Sequence, residues 1–280
     1  MHTDDTSDTV DVEVSTHGRL STDAADYARR KVADLGRRTD RPVLWARVRL
    51  TRHDDPAVER PIVAQANVDV DGRLIRAQAD GTTAREAIDR LEARLRRSLG
   101  RAAEHWEVRR GKLPRPNEWR HQSEPTLRPA YFPRPAAERR IVRRKSFTLQ
   151  SCTVDAAALE MELLDYDFHL FTEKRTGAAS VLYRGGPTGY RLAQVAPAPL
   201  DELAPFALPV TISQQPVPCL IVDQAVERLG LLGLPFLFFV DAAEGRACVL
   251  YHRFDGHYGL ITPAGEETVT PKSVETGADS

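Results

Sequence analysis

The chain has 280 residues, 41% hydrophobic and 28% charged, with a formal net charge of -1, which is enough apolar material for two or three separately cored domains. Its first residues, MHTDDTSDT, are acidic and polar where an export signal needs a basic and then apolar start, and its most apolar run, Gly230 to Val240, is too short to span a bilayer and contains Pro235. A cytoplasmic protein with no membrane role is therefore expected, and Cys152, Cys219 and Cys248, odd in number, without a CxxC pair and set in apolar surroundings, are expected to be buried thiols.

The near-neutral total hides an uneven distribution. From Arg37 to Lys145 basic side chains exceed acidic ones by about twelve, and acidic flanks cancel the excess. A solvated face of scattered ion pairs does not produce a one-sign excess of that size, whereas a polyanionic partner, nucleic acid first, accounts for it.

In chain order, residues 1–9 are polar and are expected to be disordered. Val10 to Ser15 alternates Val10, Val12 and Val14 with Asp11, Glu13 and Ser15, the pattern of a half-buried strand. A helix follows, with Ser21 as N-cap, Asp23 and Asp26 in its first turns, and Ala24, Ala28, Val32 and Leu35 as its apolar stripe. Arg29, Arg30, Lys31, Arg37 and Arg38 gather towards its end. Val43 to Arg52 alternates again, with Ala46, Val48 and Leu50 on one face and Trp45, Arg47 and Arg49 on the other, an aromatic ring between arginines. Ile62 to Val70, a type I′ turn at Asp71-Gly72, and a strand carrying Ile75, Ala77 and Ala79 form a hairpin.

Thr83 and Glu86 have capping-box spacing and open a second helix that is expected to run to about Ala103, its buried stripe made of Ala84, Ala87, Ile88, Leu91, Leu95 and Leu99. Arg90, Arg94, Arg97 and Arg101 recur at steps of four, three and four, so they stand in one row beside that stripe and can track phosphates. Glu92 and Asp89 offer partners, but the arginines outnumber them. Residues 10–103 thus read as one domain, two helices on a four-stranded sheet. Residues 104–140, interrupted by six prolines and rich in Arg, read as an extended basic linker, and Arg139, Arg140, Arg143, Arg144 and Lys145 at its end are candidate RNA contacts.

The remainder uses one module twice. The stretch from Val154 aligns without a gap on the stretch from Val222, with about a third of positions identical, mostly apolar or Gly. Asp155 matches Asp223, Phe168 and Phe171 match Phe236 and Phe239, Val181-Leu182-Tyr183 matches Val249-Leu250-Tyr251, and Tyr190 matches Tyr258. The copies are placed at 141–194 and 207–263, each with a short helix and brief strands, the first opened by the strand IVRRKSF. A Pro-rich joint, Pro197 to Pro209, separates them, and residues 264–280 form a polar tail. The fold class is α+β.

These residues carry a resemblance. Val10 to Ala103, with DGTTAREAIDRLEARLRRSL, resembles the amino-terminal domain of ribosome hibernation-promoting factors. IVRRKSF with LEMELLDYDFHLF and VLYR, and GLLGLPFLFFV with VLYHRFDGHYGLI, resemble two copies of the carboxy-terminal domain of the long-form members. Most long forms have one such domain; in having two, this chain resembles the mycobacterial hypoxia-associated members. The resemblance implies an amino-terminal domain lying on 16S rRNA of the small subunit at the decoding region (the A and P sites). There it blocks mRNA and tRNA, inhibits translation in dormancy and stabilises idle 70S ribosomes, without chemistry or cofactor. Family basic positions carry over to Lys31, Arg94, Arg97 and Arg101, the last three already in the row found from periodicity. With Arg30, Arg37, Arg47, Arg49, Arg76 and Arg90 they form the candidate rRNA-binding set. Arg85 stands where the family often has Tyr. The DGxYGLI motif is reduced to Thr188-Gly189-Tyr190-Arg191-Leu192 in the first copy, and IVRRK is replaced by Leu208-Pro209-Val210-Thr211-Ile212 before the second.

In the family the carboxy-terminal domain is understood to pair with its twin from another chain. Here the twin is in the same chain, so Phe168, Phe171, Tyr183, Phe236, Phe239, Tyr251 and Tyr258 are candidates for an internal pairing, and a monomer is expected. An enzyme is not expected: the histidines show no HExxH or other ligand spacing, and no Gly-rich loop precedes a helix to hold phosphates. Two other readings remain open on the sequence, a protein-interaction regulator of a transcription factor and a generic binder of double-stranded RNA.

Overall fold

In the computed structural model the described residues are 10–54, 58–109, 134–185, 187–253 and 255–264. The expectations for residues 1–9, for the middle of the linker and for most of the tail lie outside them.

The first domain forms as its periodicities require. Strand β1 (Val12–His17) leads into α1 (Ala24–Gly36), then β2 (Val43–Arg52), β3 (Ile62–Val70), β4 (Arg73–Gly81) and α2 (Ala84–Arg109). The sheet order is β1-β2-β3-β4, with β1 parallel to β2 and the rest antiparallel. Asp71 and Gly72 both have positive φ, 53° and 78°, as the type I′ turn between β3 and β4 requires. Ala46, Val48 and Leu50 of β2, Ala64, Ala66 and Val68 of β3, and Ile75, Ala77 and Ala79 of β4 are buried against the stripes of both helices. Two boundaries differ from expectation. The N-cap of α1 is Asp23, not Ser21, and no side-chain cap bond is made. Helix α2 continues to Arg109, so the chain leaves it six residues beyond the expected end.

The two copies form two equivalent five-stranded sheets. After β5 (Ile141–Phe147), the first copy supplies β6 (Ser151–Cys152), α3 (Val154–Leu163), β7 (Phe168–Glu173), β8 (Ala179–Arg184) and β9 (Tyr190–Gln194). Beyond the joint come β10 (Thr211–Ile212), β11 (Cys219–Leu220), α4 (Val222–Leu232), β12 (Phe236–Asp241), β13 (Arg246–His252) and β14 (Tyr258–Pro263). The sheet orders are β10-β9-β8-β7-β6 and β11-β12-β13-β14-β5. Each sheet therefore takes its outer strand from the segment that precedes the other copy: IVRRKSF, expected to open the first copy, pairs in parallel with β14, and Thr211-Ile212 pairs in parallel with β9. The exchange is reciprocal.

Strand alternation then assigns the two faces. Phe171 and Leu182 face α3, and Phe239, Cys248 and Leu250 face α4, each within its own core. The opposite faces meet each other: Leu170 and Val181 pack with Phe238, Ala247 and Val249, joined by Phe168, Tyr183, Phe236 and Ile261. The layers run helix, sheet, sheet, helix. The joint is not a loose tether: Leu203, Leu208 and Val210 lie in the first copy's core, and Asp155 at the start of α3 accepts hydrogen bonds from the backbone N–H groups of Ala207 (2.9 Å) and Leu208 (2.9 Å). The glycine of DGxYGLI has a packing reason. Tyr251 pairs with Gly259 and folds across it, so that a Cβ there would lie 2.3 Å from the ring, whereas the first copy has Arg191 opposite Tyr183.

Cys152 and Cys248 are buried as expected, but Cys219 is exposed: on its short edge strand β11 it holds the outward position that Ser151 holds on β6, and Leu220 holds the inward one of Cys152. Burial pushes the thiols of Cys152 and Cys248 up to about 11 and about 12. A disulfide reagent added to the native protein should therefore modify one thiol per chain quickly and the other two only on unfolding. Cys219→Ser should abolish the fast phase; fast reaction at two or three thiols would contradict this packing.

His169 on β7 is half-buried, and its desolvation lowers its pKa to about 4 from 6.5. Between those values the unfolded chain binds a proton that the fold refuses. The stabilisation is complete above pH 6.5 and is lost as pH falls towards 4, on the order of 3 kcal/mol in all. His169→Leu, which installs the residue of the second copy at Leu237, should flatten the fall of the urea midpoint between pH 6.5 and 4. An unchanged acid sensitivity would contradict the assignment.

Candidate nucleic-acid interface

Two surfaces of the first domain carry the basic candidates. The first is the sheet face turned away from the helices. There Trp45, Arg47 and Arg49 of β2 alternate outwards, and the register sets Arg47 beside Asn67 and Arg49 beside Gln65, with Arg76 one strand further on. Arg47 lies with its guanidinium 5.2 Å from the Trp45 ring centroid and its Nε 2.9 Å from Glu13. Arg49 is exposed and makes no ion pair among the described residues. A ring flanked by cations on an open sheet can stack a base and hold its phosphate.

The second surface is the flank of the helices. Arg30 and Arg97 are exposed, and Arg37 is exposed and pairs with Asp34 one turn back. Lys31 sits between Asp89 (3.1 Å) and Glu92 (2.8 Å), and these bonds, Glu92's first, hold its pKa above the usual lysine range. A phosphate would have to displace both carboxylates. Arg90 binds Glu86 at 2.7 Å and the carbonyl of Asp80. Thr83 caps the Glu86 N–H as expected, but the Glu86 carboxylate reaches back to the Thr82 N–H.

The rest of the arginine row is occupied. Arg94 donates to the carbonyl of Gln78 (2.6 Å) and lies 3.4 Å from Asp165, just after α3. Arg101 lies 3.6 Å from Glu162, and the Arg76 guanidinium sits 5.4 Å from the Tyr166 ring centroid. The first copy thus docks on α2 and the free edge of β4. Periodicity placed this row correctly on the helix flank but said nothing about what lies against it. The signal was nevertheless in the alignment of the copies: Glu162 and Asp165 stand opposite Gly230 and Gly233, charges where the twin has no side chain.

Of the basic residues before the first copy, Arg140 donates its N–H to Nδ1 of His257 and accepts from the Tyr258 N–H, and Arg139 donates to the carbonyl of Arg134. The backbone at Arg140 thus follows the second copy, while its side chain is exposed. Arg143 and Arg144 on β5 are exposed, while Lys145 is partly buried, with its pKa lowered by burial and then by Arg143, Arg76 and Arg253. Of the aromatic candidates for pairing, Phe168 and Phe236 meet at 4.7 Å, Phe168 and Tyr251 at 5.8 Å, and Tyr183 and Phe236 at 5.4 Å. Phe171, Phe239 and Tyr258 point the other way, into the helix-facing cores. Among the described residues no three His, Cys, Asp or Glu gather where they could hold a metal ion, and no helix is long and apolar enough to cross a membrane.

The family described as Sigma 54 modulation/S30EA ribosomal protein C terminus matches residues 136–192 and again 211–260. Each match begins at or just before an exchanged strand. The "Dormancy associated translation inhibitor" of Mycobacterium tuberculosis is 38% identical over 266 residues, 91% of this chain and 89% of that one. The chain belongs to the long-form ribosome hibernation factor family. A "Ribosome hibernation promotion factor" of Deinococcus radiodurans is 31% identical over 164 residues, 57% of this chain and 84% of that one. The solved amino-terminal domain of Thermus thermophilus Protein Y is 28% identical, covers 31% of this chain and 98% of that one, and gives a TM-score of 0.24. In this long-form hibernation factor the carboxy-terminal family matches twice, and the first of the two copies lies against the arginine row.

Proposed function

We propose that this hibernation factor binds the small ribosomal subunit through its amino-terminal domain, on 16S rRNA at the decoding region. There it occupies the A and P sites, excludes mRNA and tRNA and keeps idle 70S ribosomes from translating. The observation that carries this reading is the near full-length likeness to a protein named as a dormancy-associated translation inhibitor. The open sheet face of Trp45, Arg47 and Arg49 and the exposed Arg30 and Arg97 supply what such a site needs, cations on a rigid scaffold with a ring to stack on. The action is occupancy, not chemistry, and no cofactor takes part. It takes place in the cytoplasm. The working form is a monomer, its carboxy-terminal copies paired internally, holding single ribosomes rather than ribosome dimers. Arg143 and Arg144, exposed on β5, extend the basic surface beyond the first domain.

Phosphate contacts contribute salt-dependent affinity of nearly uniform size. Arg47→Ala, Arg49→Ala and Arg97→Ala together should therefore weaken binding to purified small subunits and reduce the slope of log affinity against log salt by about two to three units. The far-UV spectrum should not change, because the three side chains lie outside the core. A folded triple variant with the slope of the parent would overturn the proposed surface, and full competition by an unrelated RNA duplex would replace the decoding site with generic duplex binding.

A further inference from the structure

The two copies are built alike, yet only the first has its helix end engaged. Leu163 at the end of α3 is 5% exposed and belongs to the core of the amino-terminal domain, not to that of its own copy; the matching Leu231 on α4 is 79% exposed. The residues around Leu163 complete the contact. Asp165 accepts a hydrogen bond from the backbone N–H of Gln78 (3.2 Å) on the free edge of β4 and lies 3.4 Å from Arg94. Glu162 lies 3.6 Å from Arg101, and Tyr166 sits under Arg76.

The same three positions in the second copy are Gly230, Gly233 and Leu234; Glu162 also accepts a hydrogen bond from the Tyr190 hydroxyl within its own copy, whereas Asp165 bonds Gln78 and lies against Arg94 of the amino-terminal domain. Asp165 in particular has φ of 50°, and its counterpart Gly233 has φ of 60°. The backbone turns left-handed at this point in both copies, a conformation glycine adopts freely and other residues only at a cost. The first copy accepts that cost, and the carboxylate it gains there lies against Gln78 and Arg94. Two carboxylates and an aromatic ring set against three arginines offer those arginines the same groups as RNA, phosphate charge and a base to stack on.

We propose that the first carboxy-terminal copy is a competitor in cis. It covers Arg76, Arg94 and Arg101, and these arginines reach a nucleic-acid phosphate only after the copy undocks. The inference rests on the proposed binding of small-subunit RNA by the amino-terminal domain. Binding of the free chain is then weaker than the domain's own affinity by the fraction of molecules that are undocked. Because salt loosens the internal ion pairs as well, this penalty is greatest at low salt.

The test compares the full chain with its Glu162→Gln/Asp165→Gly variant, the second change installing the residue of the other copy and relieving the left-handed strain. Binding to purified small subunits is measured over a range of salt, and hydrogen exchange of residues 159–166 and of Gln78 is followed in the free proteins. The variant should exchange faster in those segments and bind roughly three- to tenfold tighter at low salt, the gain shrinking as salt rises. Faster exchange with unchanged affinity overturns the competition while leaving the binding reading intact. Unchanged exchange overturns it too, since the acids then do not hold the contact. If neither protein binds small subunits, the binding reading fails and the competition with it.

Discussion

The apolar face shared by the two carboxy-terminal sheets is the constraint on which the rest of the molecule depends. Leu170, Val181, Phe238, Ala247 and Val249 are buried there, with Phe168, Tyr183 and Phe236 closing the contact. A side chain of this kind contributes roughly 1.5 to 3 kcal/mol when fully buried, so the face is worth on the order of 10 kcal/mol, as much as a whole small domain can spare. Neither sheet can leave it open to water. The exchanged strands add a topological lock: β5 must reach β14, and β10 must reach β9, before either sheet is complete. Another copy of the module both covers the face and supplies the strand. In this chain that copy lies a packed joint away, at an effective concentration of about millimolar against about micromolar for a free partner, an advantage of about 4 kcal/mol.

Pairing within one chain frees the copies from strict symmetry. In a dimer of identical chains every change appears on both sides of the axis. Here Gly259 lies beneath Tyr251 in one copy while Arg191 faces Tyr183 in the other. One helix end carries Glu162, Asp165 and Tyr166 and holds the amino-terminal domain; the other carries Leu231, Leu232 and Leu234 and is exposed. The long strand Ile141–Phe147 completes the second sheet, and the two-residue strand Thr211–Ile212 the first. The differences that the sequence alignment displays as decayed motifs are, in the fold, a division of roles between two halves of one unit.

Local pattern made most of the fold legible. The alternation in β1 to β4, the Asp71-Gly72 turn and the stripes of α1 and α2 are short-range signals, and short-range rules were sufficient for them. The parts that misled were decided by long-range pairing. IVRRKSF reads as a strand on its own residues, but nothing within it says that its partner is Tyr258 to Pro263, more than a hundred residues on. Cys219 sits among apolar neighbours in the sequence and yet is exposed, because on a two-residue strand it takes the outward position, as Ser151 does in the first copy, and leaves the inward one to Leu220. The candidate site was legible as charge and less so as contact. Periodicity set Arg90, Arg94, Arg97 and Arg101 in a row, and the fold divides that row between Arg97, which is exposed, and Arg94 and Arg101, which meet the acids of the first copy.

Sedimentation velocity on the intact chain and on a chain ending at Gln194 tests the internal pairing most directly. Truncation there removes β10 to β14, stripping β5 of its partner and uncovering Phe168, Leu170, Val181 and Tyr183. The intact chain should sediment as a monomer at all micromolar concentrations, and the truncated chain should dimerise by supplying the missing sheet and strand from a second molecule. An intact chain that dimerises, or a folded truncated chain that remains monomeric, would contradict the internal pairing.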